Sequence, residues 1–262
     1  MKRGDCIEQD GVSPAASAVT IASPAADPNA PGIRTWSAAA LGDHRQGPPL
    51  DHSDALPARQ ARSRLYLSRI VQGATELIER DGIDMLTMAA VAKHAGLSTG
   101  GIYRRFPDKL ALLRALKDTH LGTFEAFVIA RIAEAPNRLE AVVRAFVAAH
   151  AEAFSLHPNV FRFIIAPNSD SLFLARGMAQ IDAMELLLAN AILRFRDEVG
   201  GADPEAKARF AFHQAFSLLS YRLRHPVSLH IPWDQVVDEL VTALLGYLRS
   251  PGVDAISGGE QR

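Results

Sequence analysis

Two groups of side chains in this 262-residue chain have types and spacings that chemistry can use. The first is His150, Glu152, His157 and His213, the best material for a metal or a general base. On one helix His150 and His157 share a face but stand about 10 Å apart at ~1.5 Å rise per residue, too far for one ion. No H-E-x-x-H pair, nucleophile elbow or phosphate loop accompanies them. The single cysteine, Cys6, excludes a Cys-rich zinc site and an internal disulfide. The expectation is no catalytic residue, no metal and no cofactor, with an all-α enzyme kept as a remote alternative.

The second group lies between Thr87 and Lys109. Two short helices crossing closely through a sharp turn need a small residue at the crossing, a residue tolerant of positive φ in the turn, a return to the core, a cap and a buried anchor. Ala92, Gly96, Leu97, Ser98 and Ile102 supply these in order. That is the helix-turn-helix arrangement, which lays its second helix in a DNA major groove; an ordinary helical hairpin uses Ala and Gly in similar places. Charge agrees with the first reading. The net of −1 is segregated: residues 59–120 carry 11 basic and 6 acidic groups, while the flanking blocks are both net acidic. The middle block is therefore the part drawn to a polyanion.

The elements that would position these residues are helical throughout. Ile70, Ala74, Leu77 and Ile78 follow an amphipathic spacing, with Gly82 just past its end. Thr87 and Asp108 are caps for the next helices, Asn137 with Glu140 makes a capping-box-like start, and Pro158 suits a first turn. A long helix is expected over roughly 170–199, another from Asp203-Pro204 to Arg224, and a last one after Ile231-Pro232. The one strand-like alternation, Val227 to Ile231, is too short to build a sheet. The expectation is an all-α fold of about nine helices.

Residues 1–58 hold seven of the fifteen prolines and no apolar period, so they read as a disordered Pro/Ala-rich extension. A reading head over 59–115, a larger helical domain over 116–250 and a flexible tail over 251–262 complete the division. No apolar run approaches the ~18 residues of a membrane helix. Asp5, Glu8 and Asp10 interrupt what Lys2 and Arg3 would open as a signal peptide, so a cytoplasmic protein is expected.

Tyr103, Phe106 and Lys109, in the run from Ile102 to Leu110, join the upstream Ile70, Ala74, Gly82 and Thr87 in a pattern that closely resembles the DNA-binding domain of TetR-family transcriptional regulators. The resemblance covers roughly residues 62–115. It implies that Thr87, Tyr103 and Lys109 contact phosphates and that Phe106 packs beneath. It gives base readout to Ser98, Thr99, Gly100, Gly101 and Arg104 on the exposed face of the short helix. Arg104 can grip guanine bidentately, and plain phosphate attraction is the alternative for both Arg104 and Arg105. Gly101 departs from the family pattern, which often has a DNA-touching side chain there. Arg59, Arg62 and Arg64 form either a minor-groove arm or a solvated helix start.

The resemblance also implies a larger ligand-binding domain and a homodimer through the last two helices on double-stranded operator DNA. The stripe Val236, Val237, Leu240, Val241, Leu244, Leu245 and Leu248 is wider than one seam needs. Phe146, His150, Phe154, Phe163, Met178, Met184, His213 and Phe216 are candidate ligand-binding residues for a small apolar or aromatic effector, or simply core. His150 reads as a satisfied core histidine or as a polar anchor, with His213 or Tyr221 as companions. The expected function is a ligand-responsive regulator, most simply a repressor. The alternative is a helical small-molecule-binding protein with a degenerate reading head.

Overall fold

Residue patterns of period 3.6, punctuated by caps, produce nine α-helices and no strand among the described residues. The computed structural model describes residues 55–226 and 231–251, with side chains from residue 63 onward. All of these fall in one unit, residues 40–262. Most of the Pro/Ala-rich extension, the strand-like run from Val227 and the tail beyond 251 lie outside the described residues.

The first three helices are α1 (Ala55–Asp81), α2 (Met88–Ala95) and α3 (Thr99–Arg105). Ile70, Ala74, Leu77 and Ile78 of α1 are buried with Leu86, Met88, Val91, Ala92 and Ile102, as the spacing requires. Thr87 Oγ1 accepts from Ala90 N at 3.1 Å and Ser98 Oγ from Gly101 N at 3.1 Å, so both expected caps form. Gly96 closes α2 with φ 63°, the left-handed conformation that glycine adopts without a Cβ clash. Arg59, Arg62 and Arg64 lie within α1. They are not an arm ahead of the first helix, because α1 starts at Ala55, with Pro57 in a first turn that needs no donor from it.

Helix α4 (Lys109–Glu134) is capped by Asp108, whose Oδ1 accepts from Ala111 N at 2.7 Å. It packs on α1 and also on α5 and α7, so the expected boundary at 115 falls inside a helix that serves both parts. The larger part comprises α5 (Leu139–Leu156), α6 (Pro158–Ile165), α7 (Ser171–Leu193), α8 (Pro204–Arg224) and α9 (Trp233–Arg249). Helix α5 is central, packing against α4, α6, α7, α8 and α9.

Three local expectations change. Asn137 and Glu140 make no capping box: α5 begins one residue later, and Arg138 N donates to Pro136 O at 2.7 Å, closing the turn without a side chain. The helix expected to 199 ends at Leu193, because the chain turns toward the end of α9, where Gly200 N donates to Leu248 O at 2.9 Å. A Cβ at Gly200 would lie 2.4 Å from Ser250 O, so only glycine allows this approach. The wide stripe on α9 is buried entirely within the chain, against α5 and α8, and so is not evidence for a partner.

Candidate nucleic-acid interface and effector cavity

Helix α3 is held from below by Ile102, fully buried, and by Phe106, 6% exposed. With these anchors inward, Ser98, Thr99, Gly100, Tyr103, Arg104 and Arg105 are exposed, and Thr87 stands exposed at the start of α2. Tyr103 is half exposed, an unusual place for a large ring with no solvent-side role. Thr87 and Ser98 use their oxygens as caps, which leaves each hydroxyl proton free to donate outward. Arg104 and Arg105 occupy the last turn of α3, where cations also complement the helix dipole.

Two of the expected contact residues sit differently. Gly101 is buried, not on the exposed face: a Cβ there would meet the Tyr66 hydroxyl at 2.2 Å. The glycine lets α3 close onto α1, so its role is packing. Lys109 is half-buried and its Nζ donates to Ile83 O at 3.4 Å, tying α4 to the turn before α2. Sequence reasoning missed Arg69, which sends Nη2 across from α1 to Ala95 O at 2.8 Å and Gly96 O at 3.4 Å. It satisfies carbonyls at the end of α2, a contact between residues 26 apart in sequence that no local pattern marks.

Behind the head, α4 to α8 enclose a cavity of about 280 Å³. Of the eight candidate ligand residues, His150, Phe154, Met178, Met184 and Phe216 line it. Phe146 does not: it is fully buried in solid core against His150 and Phe212. Phe163 does not line it either: it packs at 5.4 Å on Phe173, which does. His213 is exposed and pairs with Glu185 at 3.2 Å. Helical periodicity placed each on an apolar or adjacent face but could not say which face borders a void.

His150 is a satisfied core histidine that also borders the cavity. Its Nδ1–H donates to Phe146 O at 2.9 Å, and burial lowers its pKa to about 4, so the ring stays neutral. It also borders the cavity, edge-on to Phe124 at 4.8 Å; His213 and Tyr221 are not its companions there. Sequence reasoning passed over Lys117, Gln180 and Ser220, buried polar residues on the cavity wall. The first two had a signal: Lys117 interrupts the spacing Leu113, Leu121, Phe124, and Gln180 interrupts Phe173, Met184, Leu188. Among the described residues no three His, Cys, Asp or Glu side chains converge on a metal position, and no helix is long and apolar enough to cross a membrane.

Head and cavity meet through α6. Glu79 of α1 accepts from Val160 N at 2.8 Å and Asn159 N at 3.2 Å, taking up donors at the start of α6. Burial raises the Glu79 carboxyl above its usual range, opposed by these bonds. The other end of α6 contributes Ile164 and Ile165 to the cavity wall.

Residues 70–116 match the family model of bacterial regulatory proteins, tetR family, and residues 138–248 match that of the tetracyclin repressor-like C-terminal domain. Over 54 residues the chain is 32% identical to an uncharacterized HTH-type transcriptional regulator of Mycobacterium tuberculosis. That match covers 21% of this chain and 29% of the relative, so it spans under a third of the relative's length. The fold is similar to that of the transcriptional regulator FadR of Bacillus subtilis in complex with stearoyl-CoA, with a TM-score of 0.57 and 16% identity over 69% of this chain and 98% of that one. It is also similar to SmeT in complex with triclosan, with a TM-score of 0.52 and 16% identity over 68% and 91%. At these identities the two structures speak to the fold alone.

Proposed function

The chain belongs to the TetR family of bacterial regulatory proteins, and from that premise we propose that it is a ligand-responsive repressor working as a homodimer on a pseudo-palindromic operator. The observation that carries this is the pairing of an exposed α3 face with an apolar cavity whose wall element, α6, is bonded back to α1 of the head. Ser98, Thr99, Gly100 and Arg104 read base edges; Thr87, Tyr103, Arg105 and Lys109 hold phosphates, Lys109 with the donors that Ile83 leaves it. A two-fold dimer presents two α3 helices to half-sites about one helical turn apart.

The dimer forms through α8 and α9, by the faces that the chain itself leaves open. Phe210 is 52% exposed and lies 5.4 Å from Tyr247, with Tyr221 exposed further along α8. A small apolar or aromatic effector enters the cavity among Phe154, Met184 and Phe216, and favours a spacing of the two heads that the operator does not fit. Proteins of similar fold are solved with stearoyl-CoA, which has a long acyl chain, and with triclosan, which has aromatic rings, in keeping with these walls. This role places the protein in the cytoplasm, beside DNA, and requires no catalysis or cofactor.

Selection of bound oligonucleotides from a random pool tests the proposal. One enriched palindromic motif is expected, with affinity falling steeply as salt rises. No enrichment overturns it and leaves a helical small-molecule-binding protein whose head reads nothing.

A further inference from the structure

Among the described residues, Lys117 is a cation without a counter-charge inside the larger domain. It is 4% exposed and its Nζ lies 3.7 Å from the centroid of the Phe173 ring. Gly177 makes room for it, since a Cβ there would sit 2.9 Å from Nζ. The carboxylates nearby in the fold are committed elsewhere: Asp118 Oδ1 to Arg176 at 2.8 Å, and Asp170 to Arg114, with Nε at 2.9 Å from Oδ1. Among the described residues, those lining the cavity include two cations, Lys117 and Arg224, and no Asp or Glu. An ammonium buried this way is costly unless something pairs with it.

Two other polar groups on the same wall, Gln180 and Ser220, have donors to spare. Gln180 accepts from Arg176 Nη1 through Oε1 at 3.1 Å, which fixes its amide and leaves Nε2 buried with no acceptor. Ser220 Oγ is also buried with no partner among the described residues. His150 has committed its Nδ1–H to Phe146 O and stays neutral. An ammonium, an amide NH₂ and a hydroxyl around one void match a group that only accepts, and a carboxylate is such a group. The rest of the wall is apolar: Phe124, Phe154, Phe161, Met184 and Phe212.

Resting on the reading of this cavity as the effector site, we infer that its ligand is an amphipathic acid, whose carboxylate pairs with Lys117, Gln180 and Ser220 and whose apolar body fills the phenylalanine-lined remainder. Burial, with Arg176 adding to it, lowers the Lys117 pKa to about 8, so the side chain still carries its charge at neutral pH in most molecules. A bound carboxylate supplies the counter-charge that the protein withholds.

The test uses the full chain at pH 7 with two probes of equal length, decanoate and decan-1-ol, read by calorimetry and by thermal midpoint. Decanoate should bind about tenfold or more tighter than the alcohol, the usual scale of one desolvated charge pair. Lys117→Met should remove that preference while leaving the alcohol's affinity unchanged, and Lys117→Arg should keep it. The unliganded Lys117→Met chain should melt higher than wild type, because it no longer buries an unpaired charge; this readout also reports folding. Equal binding of the two probes, or a preference that survives Lys117→Met, overturns the acidic head and leaves the effector cavity standing. Binding of neither probe overturns both.

Discussion

The head and the larger domain are both built of α-helices but distribute their polar groups in opposite ways. Around α3 the interior is closed, with Ile70, Ala74, Val91 and Ile102 fully or almost fully buried, and the functional groups Tyr103, Arg104 and Arg105 face out. In the larger domain the interior is open, and Lys117, His150, Gln180 and Ser220 face into it. A surface that reads a large partner needs only rigid support beneath it. A cavity for a small partner needs the packing itself to be left incomplete, at a cost in dispersion contacts that a ligand can restore.

The sharpest contrast is between solid core and cavity wall within α5 and α8. Phe146→Ala should cost about 3–5 kcal/mol, as expected for a large ring removed from close packing. Phe216→Ala, at a half-buried position already facing a void, should cost well under half of that and widen the range of accepted ligands. Denaturant unfolding measures both. Equal costs would mean the cavity closes in solution.

Acid should damage the larger domain through its buried rings. His150 and His120 are both lowered to about 4 by burial, against about 6.5 when unfolded. Between those values the unfolded chain binds more protons than the folded one, so stability falls as pH drops from 6.5 toward 4 and is level above 6.5. The loss is on the order of 3 kcal/mol for His150 by pH 4. His157, also lowered, adds in the same direction, and Glu79, raised by burial, opposes it at the acid end. His150→Leu should flatten the slope in unfolding measured at pH 7 and pH 5; an unchanged slope would mean the ring is already protonated or exposed.

In the head the informative pair is Gly101 and Tyr66. Gly101→Ala drives a Cβ into the Tyr66 hydroxyl and should cost about 1–3 kcal/mol with loss of operator binding, while ligand binding in the cavity survives. Tyr66→Phe alone removes a buried hydroxyl that has no partner among the described residues, so it should be neutral or stabilising and should rescue Gly101→Ala. Failure of the rescue would move the fault from packing to helix geometry.

The smallest effects are at the caps. Asp108→Ala should cost about 1 kcal/mol without altering operator contacts, whereas Thr87→Ala should cost a similar amount of stability and weaken operator binding in addition. Thermal midpoints and a binding isotherm on the selected motif separate the two. Equal behaviour would remove Thr87 from the interface.

The residues of the head were largely legible because their constraints are short-range. Thr87, Ser98 and Asp108 cap through bonds spanning three residues, and Gly96 turns where only local geometry demands it. The same locality misled over Gly101, whose reason for being glycine is a ring 35 positions earlier in the chain. The cavity was half legible. Spacing put His150, Phe154 and Met184 on an inward face, but Phe146 shares that face and borders no void.

What the sequence determined alone is the helical period, the caps at Thr87, Ser98 and Asp108 and the order of the helices, since each depends on residues within a turn of one another. The tertiary structure decided which apolar faces meet, where packing stops short, that the α9 stripe is spent inside one chain, and that Lys117 has no counter-charge among the described residues. Burial and voids are sums over side chains from five helices, and no window along the chain contains them.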